Sequence, residues 1–259
     1  VADPLPVMNQ AQSLVVPPGE SRQVWVSINT AALPPGRYTT GLSFTPFDQE
    51  LPAKTLPIWV RVLPVRLPDR MPIAVFNWDY AKTEPEVADL ANHRTNTFLV
   101  NTRPLMEFSR DGTPKGTVDW QRYDIGLRRK LAYARANGGT IIFSYGIIRD
   151  FERRFSRRLG WTFMDETWQK AFKTWVLAFE RHLRDDIGLK YEEYAVQLWD
   201  EATREHAEQT AQAGAFLRTF APKMRTCMDG AQNVAEIRLM DPVIDLWIPH
   251  QTTLYSHQE

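Results

Sequence analysis

Residues 191–209 read YEEYAVQLWDEATREHAEQ, and they decide the fold. An apolar run, AVQLW at 195–199, gives way at Asp200-Glu201 to a stretch with helical character that stops before Pro222. A strand followed at once by a helix is half of a βα unit, and the same alternation recurs through most of the chain. Predicted strands are IAVFNW (73–78), TFLV (97–100), TIIFSY (140–145), EYAVQLW (193–199), MRTCM (224–228) and VIDLWI (243–248). Helices are predicted at 84–93, 120–136, 165–186 and 202–220, the second ending at Gly138-Gly139 as helices commonly do. The third places Trp168, Phe172, Trp175, Phe179 and Leu183 on one stripe.

Strands that are apolar almost throughout imply a parallel sheet covered on both faces. No glycine-rich phosphate fingerprint follows any strand, which argues against a nucleotide-binding doubly wound sheet. Polar and aromatic residues gather after the strands instead, as they do at the mouth of a (β/α)8 barrel. Six βα units and fewer residues than the roughly 250 typical of that fold lead to the expectation of a barrel belonging to a longer protein.

The first 68 residues follow another pattern. Most of the 18 prolines lie in or just after this stretch, and QVWVSINT (23–30), RYTTGLSF (37–44) and TLPIWVRVLPV (55–65) read as short strands divided by PPG turns. The expected organisation is a small antiparallel β-sandwich at 1–68 followed by the partial barrel at 69–259.

Composition narrows the function. Lys plus Arg equals Asp plus Glu at 31 each, so no overall field draws the chain to nucleic acid or an anionic membrane. One cysteine, Cys227, excludes an intrachain disulfide framework and reads as a small buried apolar residue. The five histidines form no HExxH pattern, and no metal or cofactor is expected. Nor is there an apolar run long enough to span a bilayer.

Asp200 and Glu201 admit two readings. Asp200 can simply cap the following helix, with Glu201 favouring its dipole. Alternatively the strand delivers a general acid to the barrel mouth, with the neighbouring carboxylate and Trp199 raising its pKa. The basic stretch RDFERRFSRR (149–158) either holds an anionic ligand or is a solvated helical turn with Phe151 and Phe155 packed inward. Trp78, Trp199 and Trp247 fall near strand ends, where they stack on sugar rings or pack in the core.

PPGESRQVWVSINTAALPPGRYTTGLSF (17–44) followed by TLPIWVRVLPVRLP (55–68) resembles the β-sandwich that precedes the catalytic barrel in glycoside hydrolase family 123. ANHRTNTFLV (91–100), the LWDE end of the fourth strand and VIDLWIPHQ (243–251) are similar to that family's barrel. The family commonly has proline after the acid pair, where this chain has Ala202. The resemblance implies a retaining, substrate-assisted hydrolysis of β-N-acetylgalactosaminide-like N-acetylhexosaminides, with Glu201 as general acid and base and Asp200 orienting the acetamido group. Residues expected around the sugar are Trp78, Asp79, Tyr80, Asn101, Arg103, Tyr145, Trp199, Asp229, Trp247 and His250. The expected partner is an N-acetylhexosamine-containing glycan, in an extracellular or periplasmic setting. A retaining glycosidase with its nucleophile outside this chain and a non-catalytic glycan-binding protein on the same scaffold are the alternatives.

Overall fold

In the computed structural model the described residues are 13–47, 50–78, 81–101, 104–231 and 233–248. The chain divides into two units, Val1–Leu67 and Pro68–Glu259.

The first unit contains one antiparallel pair, β1 (Gly36–Phe44) and β2 (Lys54–Val62), in register from Gly36 opposite Val62 to Phe44 opposite Lys54. The PPG turn at 17–20 forms as predicted, with Glu20 N–H donating to Pro17 O at 3.1 Å and Gly19 at φ +76°. Residues 23–30, expected as a strand, form none. Their alternation supplies an apolar side but no ladder partner, and Trp25, Val26 and Ile28 are exposed. Among the described residues the unit is therefore a hairpin and not two packed sheets. Trp59 and Leu56 on β2 are exposed as well.

The second unit is mixed α/β. Its strands and helices run α1 (Glu84–Asn92), β3 (Phe98–Val100), the short pair β4 (Glu107–Phe108) and β5 (Pro114–Lys115), α2 (Trp120–Asn137), β6 (Ile141–Phe143) and α3 (Ile147–Phe151). A π-helical turn, Glu152–Ser156, leads into α4 (Arg157–Leu159) and then α5 (Glu166–Arg181). β7 (Tyr194–Asp200), α6 (Glu205–Phe220), β8 (Thr226–Asp229), α7 (Val234–Met240) and β9 (Leu246–Ile248) follow. Five strands form one parallel sheet in the order β3-β6-β7-β8-β9, with β7 at its centre. Neighbours in the sheet follow chain order without reversal.

The two sheet faces differ. Phe98, Val100, Ile141, Phe143, Tyr194, Val196 and Leu198 point into the large core that also holds the buried side chains of the helices. Leu99, Ile142, Ala195 and Cys227 form a separate small cluster, joined by Phe76, Leu246 and Ile248 and by no helical residue. The buried side chains of the helices thus lie on one face of the sheet. Sequential parallel strands joined by crossovers of one hand place every helix on the same side.

The predicted stripe is buried, from Trp168 to Phe179 on α5 and on to Leu183 in the π-helical turn His182–Asp186 that follows it. Asp165 caps this helix, accepting from Trp168 N–H at 2.7 Å, and Gly138 ends α2 in the left-handed region at φ +69°. Residues 73–78 are not a strand. Asn96 docks the segment with its side chain, donating to Ile73 O at 3.0 Å and accepting from Val75 N–H at 2.8 Å. Asn96 N–H and Thr97 N–H add two backbone bonds to Val75 O, at 3.0 and 3.2 Å, without making a regular ladder. Gly139 lies against Asn96 so closely that no Cβ fits, which fixes where α2 hands over to β6.

Candidate active site

The C-terminal end of the central strand carries the acid pair, and a β-bulge sets where each residue points. Gln197 lies opposite Cys227, but Asp200 lies opposite Asp229, so β7 spends three steps where β8 spends two. Strict alternation would put Trp199 on the same face as Ala195 and Gln197. With the bulge, Leu198 and Trp199 both enter the helix-side core, and Asp200 turns to the face of Asp229. Trp199 stacks on His206, with ring centroids 4.7 Å apart.

Beyond the bulge the backbone turns sharply. Glu201 has φ +55° and Arg204 φ +50°, both in the left-handed region that non-glycine residues seldom enter. Helix α6 starts only at Glu205. Asp200 is therefore not its cap, which corrects the bland reading of this residue. The peptide N–H of Arg204 is taken instead by Glu236 Oε1 at 3.0 Å.

Asp200 forms an ion pair with Arg149, from the first turn of α3. The Arg149 side chain is 13% exposed against 45% for Asp200, and its Nε lies 3.5 Å from Asp150 Oδ1. Two glycines let the flanking loops approach. A Cβ on Gly146 would sit 3.0 Å from Trp199 Cα and 3.1 Å from Asp200 N, and one on Gly230 would sit 3.1 Å from Glu201 Cα.

Asp229 closes the cluster. It is buried, and its Oδ1 accepts from Gln197 Nε2 at 2.5 Å and from the Glu201 peptide N–H at 3.4 Å. Burial pushes this carboxyl above the usual range; the Gln197 amide opposes the shift and the charge of Asp200 adds to it. Three carboxylates, one guanidinium and one amide thus gather where β7 and β8 end. Such a set can exchange a proton with a ligand and hold a fixed negative charge beside it.

Tyr145 is buried in the helix-side core against Phe143 and Phe179, and burial pushes its hydroxyl pKa up. Trp247 also faces the helix side, donating from Nε1 to Asp241 Oδ1 at 3.0 Å. Asn101, just past β3, is exposed. Trp78 is exposed with its ring edge-on to Phe76. Asp79, Tyr80, Arg103 and His250 lie outside the described residues.

The basic stretch is helical, with Phe151 and Phe155 buried. Arg154 and Arg158 both bind Glu107, the latter at 2.6 Å, and Arg149 holds Asp200. Three of the five arginines are thereby committed to carboxylates of the chain. Gln197, Gly146 and Gly230 were not singled out from sequence, and Arg149 was read only as part of the basic stretch 149–158. The one available signal was a glycine immediately after a strand-end polar residue, in Tyr145-Gly146 and Asp229-Gly230.

A separate cleft of about 320 Å3 lies elsewhere, lined by Met106, Trp120, Ala178, Arg181, His182 and Asp186 among others. There His182 stacks on Trp120 at 4.0 Å, with Nδ1 2.8 Å from Asp186 and Nε2 2.8 Å from Asp124. None of the predicted site residues lines it. Among the described residues no group of side chains is arranged to hold a metal ion, and no helix is long and apolar enough to cross a membrane. Cys227 is buried, which pushes its thiol pKa up and leaves it a packing residue.

No protein-family model matches the chain, and no curated protein matches it by sequence. Among solved structures it is similar to one described as a glycoside hydrolase, at 17% identity and a TM-score of 0.37. That match covers 60% of this chain and about half of the other, at 50%.

Proposed function

We propose that the second unit is the catalytic part of a glycoside hydrolase acting on N-acetylhexosaminides, with its parallel sheet forming an arc of a (β/α)8 barrel. The observation that carries the reading is the acid pair at the C-terminal end of the central strand, aimed by a bulge and bracketed by Arg149 and Asp229. Sequential strand order with helices on one face supports the barrel geometry. Strand C-terminal ends are where such sheets place their chemistry.

In this reading the acetamido oxygen of the substrate attacks the anomeric carbon while Glu201 gives its proton to the departing glycosidic oxygen. The cyclic oxazolinium then opens as water attacks, and Glu201 recovers a proton from that water. Asp200, ion-paired with Arg149, stabilises the positive charge that develops on the acetamido group. The enzyme itself supplies no nucleophile.

Hydrolysis of an aryl N-acetyl-β-galactosaminide tests the assignment. Glu201→Gln should lower kcat by about 10²- to 10⁴-fold, the range general acid–base catalysis supplies. Asp200→Asn should slow oxazoline formation with the fold intact. Unchanged turnover in Glu201→Gln would sink the assignment. The commitment of Asp200 to the Arg149 ion pair favours a second reading, in which the scaffold binds glycans without cleaving them. Glycan binding without hydrolysis by the wild-type protein would select it.

A further inference from the structure

We infer that Asp229 is the positioning residue of this site: its buried carboxylate holds Gln197 and the Glu201 peptide, and so fixes the bulge that aims Asp200 and the left-handed turn that aims Glu201. The catalytic consequence rests on the function proposed above, whereas the clamp itself rests on geometry alone.

Glu201 sits at φ +55°, a conformation an L side chain keeps only when its surroundings impose it. Two features of β8 and its exit do so. The Glu201 N–H donates to Asp229 Oδ1 at 3.4 Å, and Gly230, at φ +82°, brings backbone against Glu201 Cα where a Cβ would stand only 3.1 Å away. Gln197, on the near side of the bulge, donates to the same Oδ1 at 2.5 Å. One carboxylate oxygen therefore joins the two ends of the bulge, from Gln197 before it to Glu201 after it. Asp200, the residue between the bulge and the turn, is the ladder partner of Asp229 itself.

The residue type is informative too. An asparagine offers the same acceptor without burying a charge opposite a second carboxylate. A turn with no chemical duty gains nothing from the acid. Next to a site that must stabilise a cation, a buried carboxylate adds negative potential while holding the backbone.

The test uses Asp229→Ala and Asp229→Asn in the full chain, with two readouts. One is kcat and KM on the aryl N-acetyl-β-galactosaminide. The other is exchange of the Glu201 backbone amide by NMR, with Val196 and Phe143 as references. Asp229→Ala should lower kcat by about 10- to 100-fold, the usual cost of losing a supporting partner, with KM changed by less than about twofold. Its Glu201 amide should exchange at least about tenfold faster while the reference amides keep their rates. Asp229→Asn, which keeps the acceptor but not the charge, should restore the amide protection fully and kcat only in part.

If Asp229→Ala does not fold, adding Glu201→Gly should recover the fold, because glycine adopts this φ without a clamp. A double variant that stays unfolded overturns the proposal. So does a Glu201 amide that keeps its wild-type exchange in Asp229→Ala. If the wild type cleaves no N-acetylhexosaminide, the proposed function fails, and the amide exchange alone decides whether Asp229 is the clamp.

Discussion

Truncating Phe151 tests the claim that the arginine-rich helix is held by its aromatic side. Phe151 is fully buried, with Phe155, Phe172, Trp168, Trp175, Phe108 and Trp161 around it at ring-centroid distances from 4.9 to 6.2 Å. These partners come from the π turn after α3, from the segment following α4, from α5 and from β4, so one ring joins elements far apart in sequence. An aromatic side chain buries roughly 150–250 Å2, which at about 25 cal/mol per Å2 sets a transfer term of about 4–6 kcal/mol as an upper bound. Alanine retains part of that, while the cavity left by the ring adds to the loss. Measured Phe→Ala costs of about 3–5 kcal/mol bracket the result, and about 4 kcal/mol is expected here. Phe151→Leu, which refills most of the space, should cost about 1–2 kcal/mol. Urea unfolding followed by near-ultraviolet circular dichroism reads both variants, because the signal arises from packed aromatic rings. A loss below about 1.5 kcal/mol for Phe151→Ala, or equal losses for the two variants, would refute the claim that this ring organises the cluster.

Gly146→Ala should destabilise by about 1–3 kcal/mol, because its Cβ would meet backbone at Trp199 and Asp200 and not a movable side-chain end. It should also disturb the Arg149–Asp200 pair, and an unchanged thermal midpoint would show that the loop has room to spare. The Asp229 carboxyl gives a pH test with a definite sign. Its folded pKa is raised, so its favourable contribution is complete below the unfolded value of about 3.9 and is lost as pH climbs through the folded value. Asp229→Asn, free of that loss, should gain thermal midpoint relative to wild type between pH 4 and pH 7. A difference that stays constant over this range would contradict the raised pKa.

What could be read from sequence follows physical range. The helical stripes and caps of α2 and α5 depend on residues three or four apart, and both helices lie within two residues of their predicted limits apart from the π turn that ends the α5 segment. Strands β3, β6, β7 and β8 follow from apolar runs in the same way. The segments at 23–30 and 73–78 have strand-like alternation, yet a strand exists only if a partner backbone pairs with it. One finds no ladder among the described residues, and the other, held by the Asn96 side chain and by two backbone bonds at Val75 O, stops short of one. Those outcomes depend on tertiary neighbours that no local pattern encodes. At the site, the position of Asp200 at a strand end was legible, but its bond to Arg149, 51 residues earlier, was not.

The bulge explains why two adjacent acids can divide the work. On an unbroken strand, neighbouring side chains point to opposite faces, so Asp200 would turn into the helix-side core with Leu198, and burying its charge there would be costly. The extra residue in β7 sends Trp199 to that core instead and brings Asp200 to the face of Asp229. The left-handed turn at Glu201 then departs from strand geometry, so the second acid does not follow the pleat to the buried side and remains exposed. Each irregularity corrects the direction of one carboxylate. Each also has a local support, Gln197 before the bulge and Gly230 beside the turn, with Asp229 bonded to both the glutamine and the Glu201 peptide. The pair is therefore a property of two strands and not of the LWDE sequence alone. The same four residues on a regular strand would offer one exposed acid and one buried in the core.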